Sequence, residues 1–435
     1  MSKAVCVVVR QCLIWLMVCL FSAVSTVTAK QVDMQPNAQP SAQSIAQNEQ
    51  YVVLMSLDGF RHDYIELHDA KHLRRIANAG VKTESLTPVY PANTFPNHIS
   101  LVTGLLPKNH GIVNNRFYDK SRPYMQNNMQ SYAQYKLGGG LKDSTWITGI
   151  PLWTLAEFHG LKAGAFFWPE SDARISGMLP TYHYHYSKFA SYQQRIDQIV
   201  QWLSLPDVSR PRFVAGYFSL TDTIGHNEGP NSKATRDAVQ FVDGLIGQLF
   251  DRLNALDINV NLVVVSDHGM TNIDTNALIA VESLNISNNF LVENEGAQIQ
   301  LYALPDVTED EINKEEARLN ALSKGNFLVL NQQQREERAM QKGDRTGDIL
   351  LEIAPPARFV NAERTYSNKG GHGYLNTLPD MGALFVAAGP AFKKGVTLPA
   401  FSNLEIYPAL AEVLGIKPLS PIDGQIKVLK NGLTL

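Results

Sequence analysis

Cysteine is almost absent. The three thiols, Cys6, Cys12 and Cys19, all lie within the first nineteen residues. Downstream of them no disulfide, thiolate nucleophile or Cys-ligated zinc can form. A basic stripe is missing too: 38 Lys and Arg face 41 Asp and Glu, a formal charge of −3. That balance excludes a protein that coats a phosphate backbone. A small phosphate compound stays open, because a bound metal supplies positive charge locally. The apolar stretch 12–24 falls short of the roughly twenty residues that a membrane span needs. No internal repeat is visible.

What remains is an ordinary globular composition, 44% hydrophobic and 18% charged over 435 residues. That length holds one large α/β domain with an insertion, or two domains. Lys3 and Arg10 precede the apolar stretch, and Val27-Thr28-Ala29 offers small residues for cleavage. Residues 1–29 therefore read as a secretory signal peptide, with a retained anchor as the alternative. Its removal takes away two basic groups and no acidic one, so 36 against 41 leaves −5. Residues 30–49, rich in Gln, Asn, Ala, Ser and Pro, read as a disordered linker.

Beyond the linker, short apolar runs alternate with helical periodicities. Strands are expected at 51–57, 161–168, 213–220, 262–265 and 382–387, and helices at 71–79, 95–102, 192–203, 234–253 and 405–414. Between 276 and 365 the style changes to half-buried strands around a charged helix at 309–323. The expected architecture is α/β: a catalytic domain over 50–275 and 366–430, with a small α+β capping insertion over 276–365.

Chemistry gathers where these strands end, the place where α/β sheets bind ligands. The run Val263-Val264-Val265-Ser266-Asp267-His268-Gly269 delivers an acid and an imidazole to one rim. Asp58 follows the first strand, though alone it could be a helix N-cap. Asp222 and His226, four apart, can converge on a cation from a turn after a strand, or form a polar loop capping a helix. His372 stands among Gly370, Gly371 and Gly373, where backbone entropy is given up for close approach, unless the segment is a surface turn. Three Asp and three His suffice for two catalytic-style zinc sites with three protein ligands each. Such a pair clamps the attacking and leaving oxygens of an in-line displacement. Thr94, in the run 90–98, is the nucleophile candidate: at a helix N-terminus it meets free N–H groups and the dipole, though a threonine there is often only a cap. Asn115 could donate its amide to a developing phosphoryl oxygen, or simply make a turn.

Together these segments resemble the nucleotide pyrophosphatase/phosphodiesterase family of the alkaline phosphatase superfamily. The resemblance rests on SLDGFR at 56–61, TFPNH at 94–98, HGIVNN at 110–115, FFWPES at 166–171, DTIGHNEGP at 222–230, SDHGM at 266–270 and GGHGY at 370–374. It spans about 52–414 and implies an alkaline-phosphatase-like central sheet, mostly parallel and flanked by helices. It also implies Asp222, His226 and His372 on one zinc and Asp58, Asp267 and His268 on a second, which would hold Thr94 Oγ1 as well. Phe95, Tyr217 and Tyr186 would form a base-stacking slot, with core packing as their alternative use. The sequence departs from the family's pattern at Thr221, often proline there, at Leu375, and after Asp119.

The expected function is thus a two-zinc phosphodiesterase or nucleotide pyrophosphatase, working through a covalent threonine intermediate and releasing nucleoside monophosphate. The expected partner is a small nucleotide. The absence of cysteines suits a bacterial periplasmic or secreted enzyme without a stable membrane span. Three alternatives stand: a phosphomonoesterase, a choline-type phosphodiesterase, and a non-catalytic metal-binding surface protein.

Overall fold

A computed structural model describes residues 49–126, 129–363 and 365–434. The expected signal peptide and all but the last residue of the expected linker lie outside the described residues. The core is an eight-stranded sheet in the order Val396–Leu398, Val81–Thr83, Phe385–Ala388, Asn259–Val265, Gln50–Leu57, Phe213–Phe218, Ala163–Phe166, Tyr182–His183. Only Phe385–Ala388 runs against its neighbours. The mostly parallel, helix-flanked sheet agrees with the expected fold.

Both faces of this sheet are covered, which is why its central strands read as unbroken apolar runs. From Gln50–Leu57, Val52 and Leu54 join one core with Ile99, Trp153 and Leu410. The alternate residues Val53, Met55 and Leu57 join the other, with Leu73, Ile199 and Ile246. Helices Thr94–Thr103, Leu152–Phe158 and Ile406–Val413 thus cover one side. Lys71–Ala79, Tyr192–Leu203 and Lys233–Asn254 cover the other. Among the described residues, no helix is long and apolar enough to cross a membrane.

A separate four-stranded antiparallel sheet, built from Phe290–Asn294, Gln298–Ala303, Ile349–Glu352 and Leu328–Val329, has helix Glu309–Ser323 beside it. Its core of Ile299, Leu301, Leu319 and Leu351 also takes in Ala92 and Tyr374, so it packs onto two loops that flank the motifs. An antiparallel hairpin, Phe117–Gln126 with Met129–Tyr135, fills the stretch after Asp119 that the sequence left unread.

Candidate active site

Three adjacent parallel strands fix the geometry. Ser56 lies level with Tyr217 on one neighbour and with Val265 on the other. Asp58, two residues past Ser56, therefore emerges between Tyr217 and Asp267. Gly59 follows at φ +65°, and a Cβ there would sit 2.9 Å from the Asp222 Cα. Only glycine lets this loop approach the Asp222 backbone so closely.

Asp222 and His226 do not come from a turn. They lie on helix Leu220–Glu228, which starts two residues after its strand ends. Helical i, i+4 spacing puts both on one face, with His226 Nε2 3.3 Å from Asp222 Oδ1. His372 Nε2 reaches the same oxygen at 3.5 Å. His268 Nε2 is 3.0 Å from Asp267 Oδ2 and 3.6 Å from Asp58 Oδ1. Gly370–Gly371 is no surface turn but a buried strand paired with Thr271–Asn272. Thr221, where the family often has proline, donates its hydroxyl to the carbonyl of Asp58 and so secures that loop.

The hydrogen bonds settle which atoms face inward. Backbone carbonyls only accept, and each of the three histidines meets one at Nδ1: Gly370 O for His226 (3.1 Å), Ala92 O for His372 (3.1 Å), Gly269 O for His268 (2.9 Å). Each Nδ1 must therefore donate, which turns Nε2 toward the carboxylates, the usual arrangement around a metal. On the carboxylate side, Asp58 Oδ1, Asp222 Oδ1 and Asp267 Oδ2 are buried with no hydrogen-bond partner. Burial and the His268 and His226 rings push the His372 pKa well down, so this imidazole is neutral. Its Nε2 lone pair then faces a carboxylate oxygen with no proton between them. Lone pairs meeting lone pairs call for a cation, and three overlapping sets of side chains lie close enough together to be candidates for one: Asp222, His226, His372; Asp58, Asp222, His268; and Asp58, His98, Asp267.

His98 was not singled out from the sequence, although it stands in the Thr94 motif. It is fully buried, 3.4 Å from Asp267 Oδ2 through Nδ1. Its ring is already spent: Nδ1 donates to Thr94 O (2.8 Å) and Nε2 accepts from Ser56 Oγ (2.8 Å). It braces Asp267 and the helix start and has no lone pair left for a metal.

Thr94 is the first residue of helix Thr94–Thr103, with Asn93 as the cap. Its Oγ1 lies 3.3 Å from His268 Nε2. Asn115 Oδ1 accepts from the Phe95 N–H at 2.9 Å. No protein acceptor takes its Nδ2 among the described residues, so the amide protons remain available beside Thr94. Arg116, the nearest cation in sequence, is drawn away by Glu295 (2.7 Å) and Glu293 (3.3 Å).

Beside Thr94 opens a cavity of about 410 Å³ that includes Phe95, Tyr217, Tyr186, Leu137, Leu141 and Glu170. Tyr217 is pinned, its hydroxyl donating to Asp58 Oδ2 at 2.5 Å. Tyr186 is 55% exposed and forms an outer lip. Glu170, unremarked in the sequence, is buried at φ +64° and accepts from the Tyr135 hydroxyl (2.5 Å) and the Gly140 N–H (3.3 Å). It thereby ties down the loop carrying Leu137 and Leu141.

The family model described as type I phosphodiesterase / nucleotide pyrophosphatase matches residues 52–375. Human ectonucleotide pyrophosphatase/phosphodiesterase family member 1 is 33% identical over 84% of this chain and 40% of its own length. Venom phosphodiesterase from Naja atra is 31% identical over 84% of this chain and 44% of its own. The chain thus spans about two fifths of the length of these curated relatives. Among solved structures, murine ectonucleotide pyrophosphatase/phosphodiesterase 5, as an inactive threonine-to-alanine form in complex with AMP, superposes with a TM-score of 0.79. It is 27% identical, over 89% of this chain and all of that one. The human counterpart gives 0.80 at 27% identity.

Two measurements follow from the charges. Burial first, then the neighbouring Asp267 and Asp222, raise the Asp58 pKa well above the carboxylate range. A raised acid stabilises below its unfolded pKa and loses that contribution as pH rises through the folded one, so at neutral pH its ionisation destabilises the metal-free fold. Asp58→Asn should stabilise the protein in chelator by about 1–3 kcal/mol while shrinking the melting-temperature rise on adding zinc. Lower stability in chelator would show that the charge is already compensated. Burial likewise pushes Glu170 from 4.5 to about 7, against the opposing Tyr135 and Gly140 hydrogen bonds. Its contribution is full below pH 4.5 and fades as pH rises through about 7. Glu170→Gln should therefore remove at most about 3 kcal/mol of the stability lost on going from acid to pH 8.5, read by urea denaturation.

Proposed function

The chain belongs to the type I phosphodiesterase / nucleotide pyrophosphatase family, and from that premise we propose that it is a two-zinc phosphodiesterase acting on nucleotides. Asp222, His226 and His372 would hold one ion and Asp58, Asp267 and His268 the other, with Thr94 Oγ1 beside the second. The observation that carries the reading is the set of three buried, unpartnered carboxylate oxygens facing imidazole Nε2 atoms next to that hydroxyl. When bound, two zinc ions supply the positive charge that acidifies a hydroxyl and offsets the charge of a phosphoryl group.

The protein's own groups do the rest. Helix Thr94–Thr103 offers its dipole and the Thr94 N–H to the phosphoryl group, since the Phe95 N–H is held by Asn115 and Pro96 has none. Thr94 Oγ1 attacks phosphorus in line, a phosphothreonine ester forms, and the leaving oxygen departs with its substituent. Water then cleaves the ester and releases a nucleoside monophosphate, a product class that the AMP complex of a structural relative supports. Asn115 Nδ2 donates to a non-bridging oxygen, an interaction that strengthens as charge develops. Phe95 and Tyr217 stack the base, and Tyr186 covers its outer edge.

A diester is favoured over a monoester because the cation nearest in sequence to Asn115 is held by Glu295 and Glu293, which leaves no guanidinium from that position for a dianionic phosphate. We read residues 276–365 as a cap on a catalytic domain of 50–275 and 366–430. Export to the periplasm or medium rests on the signal-like segment 1–29.

The test compares turnover of the nitrophenyl ester of thymidine monophosphate with that of nitrophenyl phosphate, using zinc-loaded protein. Diester turnover should dominate, vanish with chelator, and fall about a thousandfold or more in Thr94→Ala. Dominant monoester turnover would move the function to a phosphatase on the same scaffold.

A further inference from the structure

Asn93 occupies the cap position of helix Thr94–Thr103, yet its side chain makes no capping hydrogen bond. A cap asparagine normally accepts from the helix's own N–H groups, a bond worth about 1 kcal/mol. Here the side chain points elsewhere: Nδ2 donates to Asn114 Oδ1 at 2.7 Å. The same Asn114 oxygen accepts the Asn115 backbone N–H at 2.9 Å. One atom thus ties the residue before Thr94 to the residue that carries the phosphoryl-oxygen donor.

The chain of amides continues into the insertion sheet. Asn114 Nδ2 donates to Gln298 Oε1 at 2.9 Å, and Gln300 Nε2 donates to the same oxygen at 3.2 Å. Gln298 Nε2 donates to the Tyr90 hydroxyl at 2.9 Å. Gln300 Oε1 accepts from the Gly347 N–H (3.0 Å) and from the Tyr302 hydroxyl (3.0 Å). Asn93, Asn114, Gln298 and Gln300 are all buried, none above 3% exposed.

Polarity fixes every member. Backbone N–H groups can only donate, and one closes each end of the relay, Gly347 at the insertion and Asn115 at the site. Turning any single amide over would oppose donor to donor or acceptor to acceptor in a buried place, at a cost that water cannot relieve. The relay has one arrangement. At its site end Asn93 Oδ1 also fills the space beside Gly373, where a Cβ would sit 2.6 Å from it and where φ is +92°. Gly373 follows His372, so the relay abuts the third imidazole loop as well.

We infer that Asn114 and Gln298 are positioning residues, forming with Asn93 a buried amide relay through which the insertion sheet fixes Thr94 and Asn115 relative to each other. This rests on the roles proposed above for Thr94 and Asn115. The relay touches neither the base slot nor the carboxylates, so its loss acts on the alignment of attack and leaves nucleotide binding alone.

Gln298→Leu removes the acceptor for the Asn114 amide and should lower kcat about ten- to hundredfold, as small misplacements of reacting groups do. KM for the thymidine ester and Kd for AMP should stay unchanged. Asn93→Ala cuts the relay at its other end, avoids the insertion core, and should reproduce that kcat loss. Combining the two should cost no more than the larger single loss, because they break one connection. Unchanged kcat in folded Gln298→Leu or Asn93→Ala overturns the inference, as does strict additivity. Thr94→Ala is run in parallel. If it retains turnover, the reading of the site has failed; if it is inactive while both relay variants are fully active, only the relay has failed.

Discussion

Asp58, Asp222 and Asp267 arrive from three different elements, and each turns one buried oxygen without a hydrogen-bond partner into a common space. Desolvating a carboxylate costs several kcal/mol even after relaxation. Three together cannot all be ionised without a cation, and the opposed pKa directions express this. Asp58 is driven up, first by its burial and then by its acidic neighbours. Asp222 is held at about 2, where burial opposes ionisation but the neighbouring imidazoles, His226 foremost by charge and hydrogen bond, outweigh it. A fold that keeps such a cluster must prevent it from relaxing apart. The two cores that sandwich the parallel sheet do this, because they fix the ends of three adjacent strands to within a residue's register.

The histidines solve the complementary problem. An imidazole near carboxylates would ordinarily protonate and form an ion pair, satisfying the site without a metal. Backbone carbonyls at each Nδ1 take one proton of the ring, and at His372 burial and the His268 ring, stacked 3.7 Å away at 16°, keep a second one off, while Asp267 draws His268 toward its protonated form. Two imidazolium rings would repel in that geometry. At His372 the site therefore presents a lone pair to a carboxylate oxygen, a donor arrangement that suits a metal ion.

Much of this was legible in the sequence because it is local. Asp58, Asp267 and His268 follow apolar strands directly, and the glycines around His372 announce a close approach. The helix under Asp222 and His226 was harder. Its glycine and short apolar content suggested a turn, whereas the strand-to-helix junction falls inside a single motif. His98 went unseen since its role depends on Ser56 and Asp267, far apart in sequence. Glu170 and Gln298 are likewise defined by partners from separate segments, Tyr135 and Gly140 for one, Asn114 and Tyr90 for the other. Hydrogen-bond complementarity across elements leaves no periodic trace, so periodicity finds the sheet and misses its braces.

The distribution of rigidity bears on specificity. His268, Asp267 and His98 have no exposed surface at all, whereas Tyr186 is 55% and Leu137 54% exposed. The clustered carboxylates, the imidazoles and Thr94 sit largely on strand ends and helix starts held from beneath. The cavity beside Thr94 instead draws Leu137 and Leu141 from the hairpin's exit loop and Tyr186 from the segment after Tyr182–His183. Its inner members, Phe95 and Tyr217, are the exceptions, one being next to Thr94 and the other hydrogen-bonded to Asp58. If the cavity takes the base as proposed, substitutions in the outer wall would change which base fits without reaching the carboxylates, whereas those at Phe95 or Tyr217 would disturb both. Under the proposed reading the chemistry and the choice of nucleotide therefore meet at Phe95 and Tyr217, and an altered preference among bases should arise from the loops, with the carboxylate and imidazole cluster left as it is.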